Sequence, residues 1–367
     1  MLNELLSAVG ILSAISAALS LLMVIADRTI ANYGEVTVTI NDEKKLAVQG
    51  GSTLLSTLMN EEIFIPSACG GRGSCGFCKV RVLEGAGEIL PTELPHLSEE
   101  ERRSSIRLSC QLKVKKDMRI EIPEELFNVK QFRGVVAGIR DLTYDIKEVT
   151  IRLLEPAEIS FKAGQYIQLE TPEYELADEP VYRAYSVSSV PSLKDTVELE
   201  IRRVPNGICT TYVHDYMKEG DTVTLNGPYG EFFLRDSDRR IVFIAGGSGN
   251  APIKSILSDM AEKKNGRKAL YFFGARTTKD LFLMEEMTSF EKKLDDFTYI
   301  PALSEPAEED RWTGETGLIT DVIEKRLEGG VETEAYLCGS PGMIAACIKV
   351  LTAKGIPEEL IFYDKFA

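Results

Sequence analysis

The sequence predicts a multidomain chain. A transmembrane helix comes first, then a small α+β domain of the β-grasp kind, an antiparallel β-barrel and a doubly wound α/β domain. Three observations carry this. Leu5 to Ala26 runs for 22 residues without a charge. Cys69, Cys75 and Cys78 crowd one glycine-rich loop, with Cys110 far downstream. The apolar run Arg240 to Ala245 passes straight into Gly246-Gly247-Ser248-Gly249 and a helix. A chain of 367 residues has room for two or three domains, and 44 % hydrophobic with 27 % charged residues is ordinary for folded material. The net charge of −15 argues against nucleic acid, which demands clustered Lys and Arg, and suits an acidic face that docks on a basic partner. Two histidines leave little for histidine-based metal sites or serine–histidine triads.

Residues 1–33 read as a membrane anchor. An apolar run of about 20 residues crosses a hydrocarbon core of about 30 Å. A secretory signal would carry a basic leader and a shorter apolar run, whereas the leader here is Met1-Leu2-Asn3-Glu4. A buried soluble helix would show an apolar stripe rather than apolar residues all round. Small residues such as Ala8, Gly10, Ser13 and Ala17 suit close packing against other membrane helices. Arg28, Lys44 and Lys45 follow the run and no Lys or Arg precedes it, which places the bulk of the chain in the cytoplasm.

The second domain, residues 34–126, is organised by its cysteines. Their spacing is C-x5-C-x2-C with a remote fourth, one residue longer than the plant-type [2Fe–2S] loop. Glycines let such a loop curl around a compact anionic cluster with its N–H groups turned to sulfur. Zinc also accepts four cysteines, but its ligands usually arrive as two close pairs, and a disulfide loop is the other alternative. The remaining Cys209, Cys338 and Cys347 are scattered, and an odd total of seven points to a reducing compartment. Around the loop, strands are expected at Glu35 to Asn41, Lys45 to Val48, Lys79 to Leu83, Gln111 to Val114 and Met118 to Ile122. Helices are expected at Leu54 to Glu61, capped by Ser52 or Thr53, and at Ser98 to Ser104.

Residues 130–235 change to short alternating strands with glycine turns, the texture of a barrel. Strands are expected at Arg133 to Ile139, Ile146 to Leu153, Tyr166 to Glu170, Val197 to Arg203 and Thr222 to Asn226. Arg183-Ala184-Tyr185-Ser186 lies among them, followed by Gly207-Ile208-Cys209-Thr210 and Gly227-Pro228-Tyr229-Gly230. An Arg, a Tyr and a Ser on one short strand can grip a phosphate, stack on a flat ring and bond its edge.

In residues 238–367 the fully apolar strand, glycine turn and helix N-terminus form an anion cradle. The turn departs from the G-x-G-x-x-G fingerprint. Strands at Ala269 to Phe273, Phe297 to Ala302 and Ala335 to Cys338 alternate with helices at 279–293, 318–328 and 341–354, giving the doubly wound unit. Cys338 ends a parallel strand, where ligands bind in open sheets. No carboxylate ends the second strand, and Arg276 is placed to meet a 2′-phosphate, so NADH and NADPH both stay open.

The cysteine segment resembles ferredoxin domains. In this order, the R-x-Y-S strand, Gly207 to Thr210 and Gly227-Pro228-Tyr229-Gly230 resemble the flavin domain of the ferredoxin–NADP reductase superfamily. That resemblance implies FAD, with Arg183 on its pyrophosphate, Tyr185 against the isoalloxazine and Ser186 near flavin N5. It gives Gly207, Cys209 and Thr210 to a second pyrophosphate segment. It also implies a nicotinamide dinucleotide on Gly246, Gly247 and Gly249, with Cys338 beside the nicotinamide, and Cys69, Cys75, Cys78 and Cys110 as cluster ligands.

The whole chain is similar to the family of F subunits of sodium-translocating NADH:quinone oxidoreductases. The Cys69 to Cys75 interval, Gly230-Glu231-Phe232-Phe233, Tyr271 to Arg276, Ala302 to Pro306 and Trp312-Thr313-Gly314 carry the likeness. So does the end Tyr363-Asp364-Lys365-Phe366, which makes Phe366 a flap over the flavin. The segments near 170–180 and before Gly207 are shorter than in that family. The implied activity is hydride transfer from NADH to FAD, then single electrons through a [2Fe–2S] cluster to membrane subunits. The implied location is a bacterial or archaeal cell membrane, single-pass, with the redox domains in the cytoplasm. A tethered reductase for a monooxygenase or corrinoid protein, and an adaptor without nucleotide turnover, are the rival expectations.

Overall fold

The computed structural model describes residues 2–29, 33–330 and 332–365, with side chains for all but 2–8, 24–29, 125 and 128. Contacts divide the chain into two units, Met1–Ser67 with Gly71–Asn128, and Ala68–Gly70 with Val129–Ala367.

The first unit begins with α1 (Leu2–Thr29). The side chains described on α1, residues 9–23, are exposed. Among the described residues no helix is long and apolar enough to cross a membrane. Strands β1 (Glu35–Ile40) and β2 (Lys44–Gln49) pair antiparallel across a turn in which Asn41 and Asp42 take φ of 51° and 58°. Asn and Asp tolerate that left-handed region, and two such residues make the turn that matches strand twist. Helix α2 (Leu54–Asn60) starts at Thr53, whose hydroxyl accepts from the Ser56 amide at 3.2 Å. Strand β3 (Lys79–Glu84), helix α3 (Glu99–Arg103), and strands β4 (Ile106–Leu108) and β5 (Met118–Glu121) complete the unit. The sheet order is β2-β1-β5-β3-β4, with β1 and β5 parallel. Val38, Ile40, Leu54, Leu58, Leu108 and Ile120 form its core.

The strand expected at Gln111 to Val114 is not there. Only Lys113 makes an isolated bridge, to Thr53, and the regular strand β4 lies ahead of Cys110. The buried carboxylate of Glu93 explains this. It accepts from the Leu108 amide at 3.0 Å and from the Arg107 guanidinium, which fixes the segment before the cysteine beside β3.

The second unit opens with six antiparallel strands. They are β6 (Lys130–Asp141), β7 (Ile146–Glu155), β8 (Tyr166–Thr171), β9 (Val181–Ser186), β10 (Thr196–Arg202) and β11 (Thr222–Tyr229). The order is β10-β7-β6-β11-β8-β9, and a bridge between Val187 and Leu199 brings the two edges toward each other. Ile151, Ile167, Leu199 and Leu225 fill the interior. The short helix α4 (Ile208–Thr211) runs into one wide turn, Tyr212–Tyr216.

The rest alternates strand and helix: β12 (Arg240–Gly246), α5 (Asn250–Glu262), β13 (Ala269–Ala275), α6 (Met284–Lys293), β14 (Phe297–Leu303), β15 (Glu315–Thr316), α7 (Ile319–Arg326), β16 (Thr333–Gly339), α8 (Pro341–Ala353) and β17 (Ile361–Lys365). All six strands are parallel, in the order β15-β14-β13-β12-β16-β17. Ile241, Phe243 and Ala245 pack into one core and Val242 and Ile244 into another, so β12 is apolar on both faces. The helix expected from 279 starts only at Met284, because Leu283 takes φ of 51° and a short turn occupies Thr278–Asp280. Strands β15 and β17 were not foreseen by the alternation.

Candidate functional site

The parallel sheet changes direction of winding between β12 and β16, which are neighbours although β13 follows β12 in the chain. Crevices at such switch points, outside the carboxyl ends of the strands, are where ligands bind. Ala245 and Cys338 stand opposite each other in the register at this point. The glycine turn leaves β12 here and packs onto β16. A Cβ on Gly249 would lie 2.2 Å from the Cys338 carbonyl oxygen. Gly247 takes φ of 57°, a conformation that favours glycine, and faces the Arg202 guanidinium.

A cavity of about 250 Å³ opens beside this turn, lined by Gly246, Gly247, Arg202, Arg276, Ser304 and Ser340 among others. The amino ends of α7, at Leu318 and Ile319, and of α8, at Ser340 and Met343, both reach it, and Ser340 caps α8 by accepting from the Met343 amide. Sequence reading missed Arg202, because it comes from β10 of the barrel. It is fixed by Asp145 at 2.7 Å, so its charge is held at the cavity wall. Arg276 is engaged by Glu305 at 2.9 Å. Glycine turn, paired cation and two helix ends together suit a pyrophosphate. Cys338 is fully buried, and burial, then the carboxylates of Asp364 and Glu200, push its thiol well above the usual range.

On the barrel, β9 carries Arg183, Tyr185 and Ser186 in register with Leu169, Ile167 and Tyr166 of β8. Arg183 and Tyr185, two residues apart, share a face. Burial and the Cys209 thiol raise the Tyr185 phenol, and Arg183 opposes them, which places all three side chains within electrostatic reach. The Cys209 thiol donates to the Val181 carbonyl at 3.7 Å. The buried Tyr185 hydroxyl has no hydrogen-bond partner among the described residues. A buried phenol without a partner is costly, and a flavin edge on this face would relieve it. Gly207 and Thr210 close a tight turn. The Thr210 hydroxyl accepts from the Val204 amide at 3.0 Å, and a Cβ on Gly207 would lie 2.6 Å from that oxygen. Tyr174, in the short loop after β8, donates to the Ile208 carbonyl at 2.5 Å and sets its ring edge against Tyr212 and Tyr216. Sequence reading did not single it out.

In the first unit the thiols of Cys78 and Cys110 hydrogen-bond to each other, and that bond and burial hold the Cys78 thiol above its usual range. The Ser109 amide donates to the Cys78 carbonyl at 2.8 Å, which sets the two cysteines side by side. Cys75 is half-buried, as is Cys69, which falls with Ala68 and Gly70 in the second unit, and Gly70, Gly71, Gly73 and Gly76 all take positive φ. Among the described residues no group of three or more metal-competent side chains is drawn together. The thiol donors and the left-handed glycines fit an iron–sulfur cluster by their chemistry. Phe366 lies outside the described residues.

Three family models match the chain. Residues 38–115 match the 2Fe-2S iron-sulfur cluster binding domain, 134–234 the oxidoreductase FAD-binding domain and 243–349 the oxidoreductase NAD-binding domain. Among solved structures, the Amycolatopsis cytochrome P450 reductase GcoB is 26 % identical with a TM-score of 0.73, covering 90 % of this chain and 98 % of that one. The ferredoxin reductase in carbazole 1,9a-dioxygenase is 26 % identical with a TM-score of 0.69, covering 91 % and 99 %. The F subunit of the Na(+)-translocating NADH-quinone reductase of Neisseria meningitidis is 38 % identical over 99 % of both chains. That of Idiomarina loihiensis is 37 % identical over the whole of both. At this identity over its full length, the chain belongs to the family of F subunits of the Na(+)-translocating NADH-quinone reductase.

Proposed function

We propose that the chain is the electron-input subunit of a sodium-translocating NADH:quinone oxidoreductase. NADH binds at the β12–β16 switch point, FAD on the barrel and a [2Fe–2S] cluster on the cysteine loop. The observation that carries this is the convergence of Gly249 and Cys338 at the switch point, beside a cavity walled by a cation from the FAD-binding barrel. When bound, FAD takes a hydride from NADH and passes its two electrons singly to the cluster. The chain's own groups position and shield. Gly246, Gly247 and Gly249 present backbone N–H groups to the dinucleotide pyrophosphate, with Arg202 balancing its charge. Cys338 walls the nicotinamide. Arg183, Gly207, Cys209 and Thr210 hold the FAD pyrophosphate, Tyr185 lies along the flavin ring and Ser186 meets its edge. Cys69, Cys75, Cys78 and Cys110 ligate iron. Phe366 covers the flavin face until nicotinamide displaces it.

The domain division that accompanies this reading is 1–33, 34–126, 130–235 and 238–367. Residues 1–33 anchor the chain to a cell membrane through the uncharged run Leu5 to Ala26, part of which lies outside the described side chains. The redox domains face the cytoplasm and hand electrons to membrane subunits. A second reading, a tethered reductase for another acceptor, is favoured by the likeness to the oxygenase reductases and by the short loop that Tyr174 closes.

Stopped-flow mixing of NADH with the FAD-loaded chain tests the proposal. Flavin bleaching followed by an electron paramagnetic resonance signal of the reduced cluster is expected. A flavin that stays oxidised with NADH overturns it. Quinone reduction that needs the membrane subunits separates the first reading from the second.

A further inference from the structure

Behind the glycine turn lies a buried charged network that the reaction just described does not use. It joins β7 and β10 of the barrel to α5, α6 and β13. Asn250, the first residue of α5, donates its amide to both oxygens of Glu200 at 3.0 and 3.2 Å, and the Tyr271 hydroxyl donates to Asn250 at 2.8 Å. Glu200 and Asn250 are 4 % and 1 % exposed. One turn along α5, the Lys254 ammonium reaches Glu198 at 3.1 Å, Glu148 at 3.3 Å and Glu286 at 3.9 Å. Arg140 holds the other oxygen of Glu148 at 2.9 Å. Three carboxylates therefore pair directly with a cation, while Glu200 is hydrogen-bonded by a neutral amide and feels the Lys254 charge without pairing to it.

Asn250 follows Gly249, the residue pressed against the Cys338 carbonyl. Whatever fixes Asn250 therefore fixes the floor of the nicotinamide site. We propose that Glu200 is a positioning residue of the nucleotide site. Through Asn250 it holds the glycine turn against Cys338, and through its charge it favours the oxidised nicotinamide over the reduced one. The inference rests on NADH binding at the switch point. The physical reason is simple. NAD⁺ carries a positive charge on the nicotinamide ring and NADH does not, and in a dry site a nearby carboxylate distinguishes them strongly.

Burial pushes the Glu200 carboxyl up to about 8, with Lys254 and Asn250 opposing and Glu148 and Glu286 adding to the rise. Around neutral pH it is mostly protonated, and a cationic ring drives its proton off. NAD⁺ binding thus releases a proton from Glu200, and NADH binding does not. Asp364, the register partner of Cys338, is pushed by burial only to about 6, below the window that matters. Cys338 and Tyr271, the other titratable groups facing this point, are held well above it.

The test is calorimetric binding of NAD⁺ and of 1,4,5,6-tetrahydro-NADH, whose neutral ring cannot give a hydride to the flavin, to the FAD-loaded full chain between pH 7 and 9. NAD⁺ should tighten several-fold across that range, up to the roughly tenfold of one pK unit of coupling, with the neutral analogue flat. In Glu200→Gln the NAD⁺ profile should become flat. Asn250→Ala, which keeps the carboxylate but frees the turn, should weaken both nucleotides and keep the NAD⁺ slope. A flat NAD⁺ profile in the unaltered chain overturns the inference whether or not the variants fold, and so does an unchanged slope in folded Glu200→Gln. Absence of any NADH binding or flavin bleaching would instead remove the underlying reading.

Discussion

The Arg107 guanidinium holds the Glu93 carboxylate by two parallel hydrogen bonds, Nε to Oε1 at 2.9 Å and Nη2 to Oε2 at 2.6 Å, with both side chains buried. Two further N–H groups donate to the carbonyls of Gly87 and Glu88, so one side chain ties the loop after β3 to the strand that leads into Cys110. Removing one member of such a pair strands the other charge. Glu93→Ala is expected to cost about 3–5 kcal/mol in thermal or denaturant unfolding, and to lower iron content. Burial raises the Glu93 carboxyl, but the Arg107 hydrogen bonds and two amides outweigh it, leaving it below its ordinary 4.5. Its stabilisation is therefore present above that value and lost as pH falls through the lower, folded one.

Gly249→Ala probes the cradle. Its methyl group has no room at 2.2 Å from a backbone oxygen, so the turn must shift. NADH-dependent bleaching is expected to fall by about a hundredfold, in line with the cost of misplacing reacting groups, while the flavin content measured by absorbance stays the same.

Glu305→Gln probes nucleotide choice. The ion pair at 2.9 Å keeps Arg276 engaged, and a 2′-phosphate must compete with Glu305 for it. Without that carboxylate, NADPH should gain about tenfold in kcat/KM relative to NADH, the scale of one charged contact on an exposed pair in a cleft. An unchanged ratio would detach this pair from specificity.

The buried Glu200 also sets a stability profile. Its carboxyl moves from 4.5 to about 8 on folding, so its contribution is complete below 4.5 and is lost as pH rises through about 8. Glu200→Gln should leave the melting temperature at pH 4 nearly unchanged and raise it by a few degrees at pH 9, read by scanning calorimetry. A variant that melts lower at both pH values would assign the residue a different role.

What the sequence disclosed is what neighbours along the chain determine. Cys75 and Cys78 share a glycine loop, Gly246 to Gly249 sit between an apolar strand and a helix, and Arg183 and Tyr185 alternate on one strand, so each announces itself locally. Arg202, Asn250 and Glu93 did not. Their meaning comes from partners at Asp145, Glu200 and Arg107, which only the register of sheets brings near. The misplaced strand at Gln111 has the same origin. Local alternation favoured the segment after Cys110, but a carboxylate far upstream had already secured the segment before it. Leu283 delays α6 through a backbone angle that no side-chain pattern encodes.

The pairing of Ala245 with Cys338 has a consequence for biosynthesis. The turn that follows Ala245 is translated early in its domain, but the strand it leans on leaves the ribosome only near the end. The glycine turn is thus made long before the strand it leans on, and the dinucleotide cradle is complete only once β16 has been synthesised.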